Sequence, residues 1–246
     1  QQTLARDQFQ GIARRFESEL NQVEGPFLRG QEPQTVDLIF IPYVERMNAS
    51  LAYYKGYRLR AEHPAIDRWF RALEQLETYR GTQSDFHTHA HDLPPQMGGC
   101  WSDDGAEAQR LAEQIDRGDG LGEDEACWDA VNQADQAAIA LGRVLRHQQR
   151  LREVNPMGAE AFDQPLRCAL TQLIRNTSCP PPSGSAAGLR YLRDRISVPR
   201  DMPLPAARLL RQALEATARL DGPEQAKPLP MRDRFDQDPR PFISGS

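Results

Sequence analysis

Three of the chain's five histidines stand at alternate positions in Asp85-Phe86-His87-Thr88-His89-Ala90-His91-Asp92. Neutral imidazole is a ligand for Zn, Cu and Ni, and in an extended segment residues i, i+2 and i+4 share one face. His87, His89 and His91 could then converge on a single ion. A three-histidine set with an open position is one form of catalytic zinc site, so this pattern admits a metal-binding protein, even a metal-dependent hydrolase. Zinc ligands, however, need outer partners on a rigid frame. These histidines fall in an aperiodic stretch with helical patterns on both sides, no strand framework and no distant fourth ligand. The expectation is a packed loop tied down by its imidazoles, with no metal. His63 and His147 have no motif around them.

The cysteines offer less. Cys100, Cys127, Cys168 and Cys179 form no C-x-x-C pair, and a chain of 246 residues can build a core without staples. Reduced thiols in a cytosol-like compartment are the expectation. Cys100 follows Gly98-Gly99, but no cationic neighbour is in view to make its thiol reactive.

The run Gln34-Thr35-Val36-Asp37-Leu38-Ile39-Phe40-Ile41-Pro42-Tyr43-Val44-Glu45-Arg46 carries costs that need a reason. Pro42 inside a helix removes a backbone hydrogen bond and crowds the preceding turn, about 3 kcal/mol in an ordinary interior. A charged pair after an apolar run must find partners if it is buried. Such a segment belongs at the centre of a fold.

The elements around it read as helices. Phe9, Ile12, Phe16, Leu20 and Val23 recur at helical spacing over 4–24, and Gly25-Pro26 stops them. The central helix covers about 35–54, opening on Asp37 as a structural cap with Gln34 a weak first member of the capping box. Pro64 suits the first turn of a third helix with Ile66, Trp69, Phe70 and Leu73 as its stripe. Residues 81–104 read as a long loop. Helices follow over 105–117, 124–154, 165–176, 186–196 and 204–220, with Cys179-Pro180-Pro181-Pro182 opening a linker. The expected class is all-α, divided as 1–104, a helical extension 105–221, and an extended or disordered tail 222–246.

The net charge of -5 argues against broad nucleic-acid binding. Lys55 and Lys227 are the only lysines, which points to coding bias rather than a binding surface. Mean hydropathy is -0.67, and no apolar run approaches the roughly 18 residues of a membrane span. The chain opens on Gln1 with no secretory leader pattern, and the expectation is that an upstream part of the gene product precedes it.

Residues 9–80 resemble the all-helical C-terminal domain of cytosolic glutathione transferases. The resemblance rests on Gly25-Pro26-Phe27-Leu28-x-Gly30, on the Asp37 cap, and on Pro64…Trp69-Phe70…Tyr79. Within that superfamily Asp37…Pro42-Tyr43-Val44-Glu45-Arg46 looks most like the omega class. Ala49-Ser50-Leu51-Ala52-Tyr53-Tyr54-Lys55-Gly56 and Asp92-Leu93-Pro94-Pro95-Gln96 look like its plant and cyanobacterial branch. Residues after Trp101 fit only as a C-terminal extension. Gln34 departs from the usual Ser or Thr, and neither the thioredoxin-like N-terminal domain nor the first long helix of the C-terminal domain is present.

That resemblance implies a glutathione-transferase C-terminal-like bundle in a glutathione-dependent transferase or thiol oxidoreductase. Its catalytic cysteine and most of its glutathione site would lie in an upstream thioredoxin-like domain, so this chain alone should not turn over glutathione. Tyr43 and Arg46 match residues that line the pocket for a small electrophilic or disulfide substrate. Their spacing of three puts them on one helix face, and an arginine there could hold an acidic group or leaving thiolate. The competing role for Arg46 is a pair with Asp37 or Glu45 that supports the core. The resemblance also implies a homodimer, in the cytoplasm or in the plastid stroma of a eukaryote. The alternative is a non-catalytic interaction module of the same fold.

Overall fold

The helical periodicity is realised along the chain in a computed structural model that describes residues 2–97, 100–118, 121 and 132–227. Among them the protein is all-α, without a strand. The helices are α1 (Gln2–Leu20), α2 (Thr35–Lys55), α3 (Leu59–Glu62), α4 (Pro64–Leu73), α5 (Glu77–Thr82) and α6 (Phe86–Met97). They continue with α7 (Ala106–Asp116), α8 (Gln133–Glu153), α9 (Ala159–Arg175), α10 (Ala186–Arg193) and α11 (Leu204–Arg219). No helix of the described residues is long and apolar enough to cross a membrane. The opening of the helix expected over 124–154 and the tail beyond 227 lie outside the described residues.

Asp37 organises the first layer. Its carboxylate is fully buried, and Oδ2 accepts the Gln34 N–H at 2.9 Å, closing the start of α2. Oδ1 accepts the Leu28 N–H at 3.0 Å and the Trp69 indole N–H at 2.9 Å. One carboxylate thus pins the Phe27–Gly30 turn and α4 onto the first turn of α2. Gly25 permits that turn: its φ is +134°, and a Cβ there would sit 2.3 Å from the Gly30 carbonyl oxygen. Phe16 of α1 then meets Trp69 edge-on, with ring centroids 5.6 Å apart. Leu20, Ile66, Phe70 and Leu73 complete the cluster.

α2 runs unbroken through Pro42 and stops at Gly56, whose φ is +63°. A Cβ on Gly56 would lie 2.7 Å from the Ala108 nitrogen, so the backbone of α7 reaches α2 only because this residue is glycine. Leu111 and Ile115 of α7 share one apolar cluster with Ala49, Ala52 and Phe86. By packing, α7 therefore goes with the helices before residue 104.

The long loop expected over 81–104 is corrected by the structure. α5 extends to Thr82, and α6 covers 86–97. Asp85 opens α6 by accepting the Thr88 N–H at 3.1 Å. Pro94 cannot donate to the Ala90 carbonyl one turn back; the Tyr54 hydroxyl donates to it instead, at 2.7 Å. An outside donor rescues the helix where the sequence breaks it. α9 also begins earlier than expected, at Ala159, which lets Phe162 enter the second core.

That second core lies among α8, α9, α10 and α11, with Val144, Phe162, Leu166, Leu189, Leu210 and Leu214 at its centre. The two halves meet on a polar seam. Arg211 of α11, fully buried, pairs with Asp85 and donates to Thr88 Oγ1 at 3.1 Å and the Ile196 carbonyl at 2.6 Å. The Val198 N–H donates to the same Thr88 oxygen at 3.0 Å.

Candidate functional site

The outward face of α2 carries the first candidate set. Tyr43 is 66% exposed and Arg46 is exposed beside it. Ile39 and Met47, one turn to either side, extend the face. Arg46 Nη1 donates to Gln96 Oε1 of α6 at 2.8 Å. It pairs with neither Asp37 nor Glu45, so the internal pairing weighed for Arg46 is corrected, and its contact joins α2 to α6 instead. Adjacent residues point about 100° apart on a helix, and the Glu45-Arg46 pair is split accordingly. Glu45 turns inward and accepts the Tyr79 hydroxyl and the Ser84 N–H, each at 2.9 Å.

The histidines make the second set, though not as a strand would present them. In α6, His89 points away from its two neighbours, since two residues turn the helix by about 200°. Its Nε2 lies 2.8 Å from Glu45 Oε1. His87 and His91, four apart, stack on the other face with ring centroids 4.4 Å apart. The convergence of His87, His89 and His91 that an extended segment would allow is therefore overturned, and the packed loop expected there is a helix. Two aspartates take the place of the third histidine: Asp194, just past α10, and Asp116, at the end of α7. His91 Nε2 stands 2.8 Å from Asp116 Oδ1 and 3.7 Å from Asp194 Oδ1. His87 Nε2 stands 3.5 Å from that same Asp194 oxygen.

The surroundings fix the carboxylates. Arg193 Nε donates to Asp194 Oδ1 at 2.7 Å, and the Tyr53 hydroxyl donates to Asp116 Oδ2 at 3.2 Å. His87 is 2% exposed, and neither ring nitrogen has a hydrogen-bond partner. Burial above all, with the cations of Arg211 and His91, pushes its pKa down to about 3. His91 goes the other way: burial pulls it down, but Asp194 and Asp116 together raise it above the ordinary histidine value.

Glu215 of α11 closes the charge network behind. It accepts from Arg190 Nε at 3.0 Å and Arg193 Nη1 at 2.7 Å, and pairs with Arg219 at 3.0 Å. Burial raises its carboxyl pKa and these arginines more than offset that, leaving it below the usual range. A depressed carboxylate contributes stability above its unfolded pKa and loses it as pH falls through the folded value. Urea midpoints should therefore drop between about pH 5 and about pH 3. Glu215→Gln should flatten that drop, and an unchanged slope would remove Glu215 from the explanation.

The described thiols are one lone residue and one close pair. Burial raises the Cys100 pKa, despite nearby Tyr54 and Lys55. Cys168 and Cys179 lie with Sγ atoms 2.8 Å apart, a contact that no sequence spacing signals. Cys127 falls outside the described residues. A cleft of about 490 Å³ lies between α8 and α10, edged by Arg143, His147 and Arg195.

Fold and site together define, among the described residues, an all-α protein with an apolar helix face open to solvent and a half-buried histidine–aspartate cluster. Set against known proteins, the chain matches no family model, no curated protein and no solved structure. Sequence reasoning missed Asp116, Asp194 and Arg193. The i, i+4 spacing of His87 and His91 was the available signal, once that stretch is read as helix.

Proposed function

We propose that the chain is the C-terminal helical domain of an omega-like, glutathione-dependent transferase or thiol oxidoreductase. Its part is to supply the electrophile-binding wall while an upstream thioredoxin-like domain supplies the reactive cysteine and binds glutathione. The observation that carries this reading is the exposed face of α2. Ile39, Tyr43 and Met47 lie open at i, i+4 and i+8, flanked by Leu38 and Phe40. The same helix buries Asp37, Val44, Asn48 and Ala52 on its other side. An apolar stripe on a firmly anchored helix marks a binding surface, and Arg46 at its edge adds one cation. A small disulfide or electrophile with an apolar body and an acidic or thiolate end suits that combination.

In such an enzyme the upstream thiolate attacks the glutathionyl sulfur of a mixed disulfide and releases the substrate thiolate. A second glutathione thiolate then regenerates the cysteine and leaves as glutathione disulfide. Arg46 would hold the departing thiolate. The test is glutathione-dependent reduction of the glutathione–mercaptoethanol mixed disulfide by the complete gene product. Arg46→Ala should lower kcat/KM roughly 10- to 100-fold, the loss of one hydrogen bond to a charged group, with helicity unchanged. Absence of a thioredoxin-like domain upstream, or of glutathione dependence, would leave the interaction-module reading in its place.

A further inference from the structure

We propose that His87, His91 and Asp194 form a site for a zinc-type divalent cation, clamping α6 to the end of α10. The donor atoms come from two separate elements. One ring nitrogen of each histidine and an Asp194 oxygen all fall within 4.8 Å of one another.

The spacing fits a metal better than a hydrogen-bonded cluster. Ligands about 2.0–2.2 Å from a tetrahedral ion stand about 3.3–3.6 Å apart. The His87–Asp194 and His91–Asp194 separations are 3.5 and 3.7 Å, too long for good hydrogen bonds. Asp116, at 2.8 Å from His91 Nε2, is the hydrogen-bond partner that a bound ion would displace from that nitrogen.

His87 supplies the independent sign. Leaving a buried polar group unpaired costs about 1–3 kcal/mol, yet His87 is buried with both ring nitrogens orphaned and Nε2 toward the cluster. An ion coordinated by that nitrogen would satisfy it. An outer partner of the kind metal sites require is already in place: Arg193 on Asp194. Two imidazoles and one carboxylate suit zinc and its first-row neighbours rather than calcium or magnesium. A way in from solvent exists as well, because Asp116 and Arg193 also line an open cleft of about 520 Å³. Three protein ligands leave the fourth position of a tetrahedral ion to water.

The experiment loads the full chain with zinc, dialyses it, and measures bound metal and the shift in Tm. The expected stoichiometry is close to one, with a clear rise in Tm, and cobalt in place of zinc should give the intense visible bands of a tetrahedral site. His87→Leu should weaken zinc binding by roughly 100-fold or more, at least the upper end of what outer-partner changes cost. Its metal-free Tm should stay level or rise, since an orphaned polar group is removed. Asp194→Asn should also lose the metal, and His89→Asn should keep it. Stoichiometry well below one, or binding that survives His87→Leu, would overturn the site and leave the His91–Asp116 hydrogen bond as the resting arrangement.

Discussion

Asp37→Ala is expected to abolish the cooperative unfolding transition or lower its free energy by about 3–6 kcal/mol. The substitution strands three backbone and indole donors, from Leu28, Gln34 and Trp69. Each buried donor left unpaired costs about 1–3 kcal/mol, against a total stability of roughly 5–15 kcal/mol for a domain. Water can reach the Gln34 end, which is only part-buried, so the Leu28 and Trp69 donors dominate. Asp37→Asn keeps an acceptor and should lose less, about 1–3 kcal/mol. Denaturant titrations followed by helical circular dichroism decide it. A loss under about 1 kcal/mol for the alanine variant would mean that the cap does not organise the layer.

Arg211→Met carries the second large effect. The guanidinium is fully buried and serves Asp85, Thr88 and the Ile196 carbonyl at once. Removing one partner of a buried pair costs about 3–5 kcal/mol because the other charge is left uncompensated. Asp85→Asn alone should cost a similar amount. The double variant should be far less destabilised than the sum, with a coupling of about 2 kcal/mol or more in the cycle. Only part returns, since Asp85 also caps α6 and Thr88 keeps other duties. Strict additivity would show that the seam between the halves does not depend on this pair.

Local signals carried well from sequence to structure. Asp37, Pro64 and the stripe of Trp69, Phe70 and Leu73 rest on caps and periodicity that act over a few residues. The stretch after Gly81 misled for a physical reason. Polar histidines and a Pro94-Pro95 pair hide a helix that is rescued from outside, by the Tyr54 hydroxyl on the Ala90 carbonyl. Reading that stretch as extended also grouped the wrong three imidazoles. The partners that His87 and His91 meet, Asp116 and Asp194, arrive from distant helices, and periodicity says nothing about which helix ends will meet. For Arg46 the sequence left a pocket residue and a partner of an internal acid both open, and its contact with Gln96 depends on α6 being a helix at all.

On the proposed function, the open face of α2 is the wall of a substrate pocket. Carbene footprinting of the complete gene product, with and without S-hexylglutathione, decides it. Tyr43 and Met47 should lose labelling when the ligand binds, and Arg46→Ala should reduce the protection. Unchanged labelling on α2 together with protection of Tyr191 and Met202, in the cleft beside α8, would contradict it.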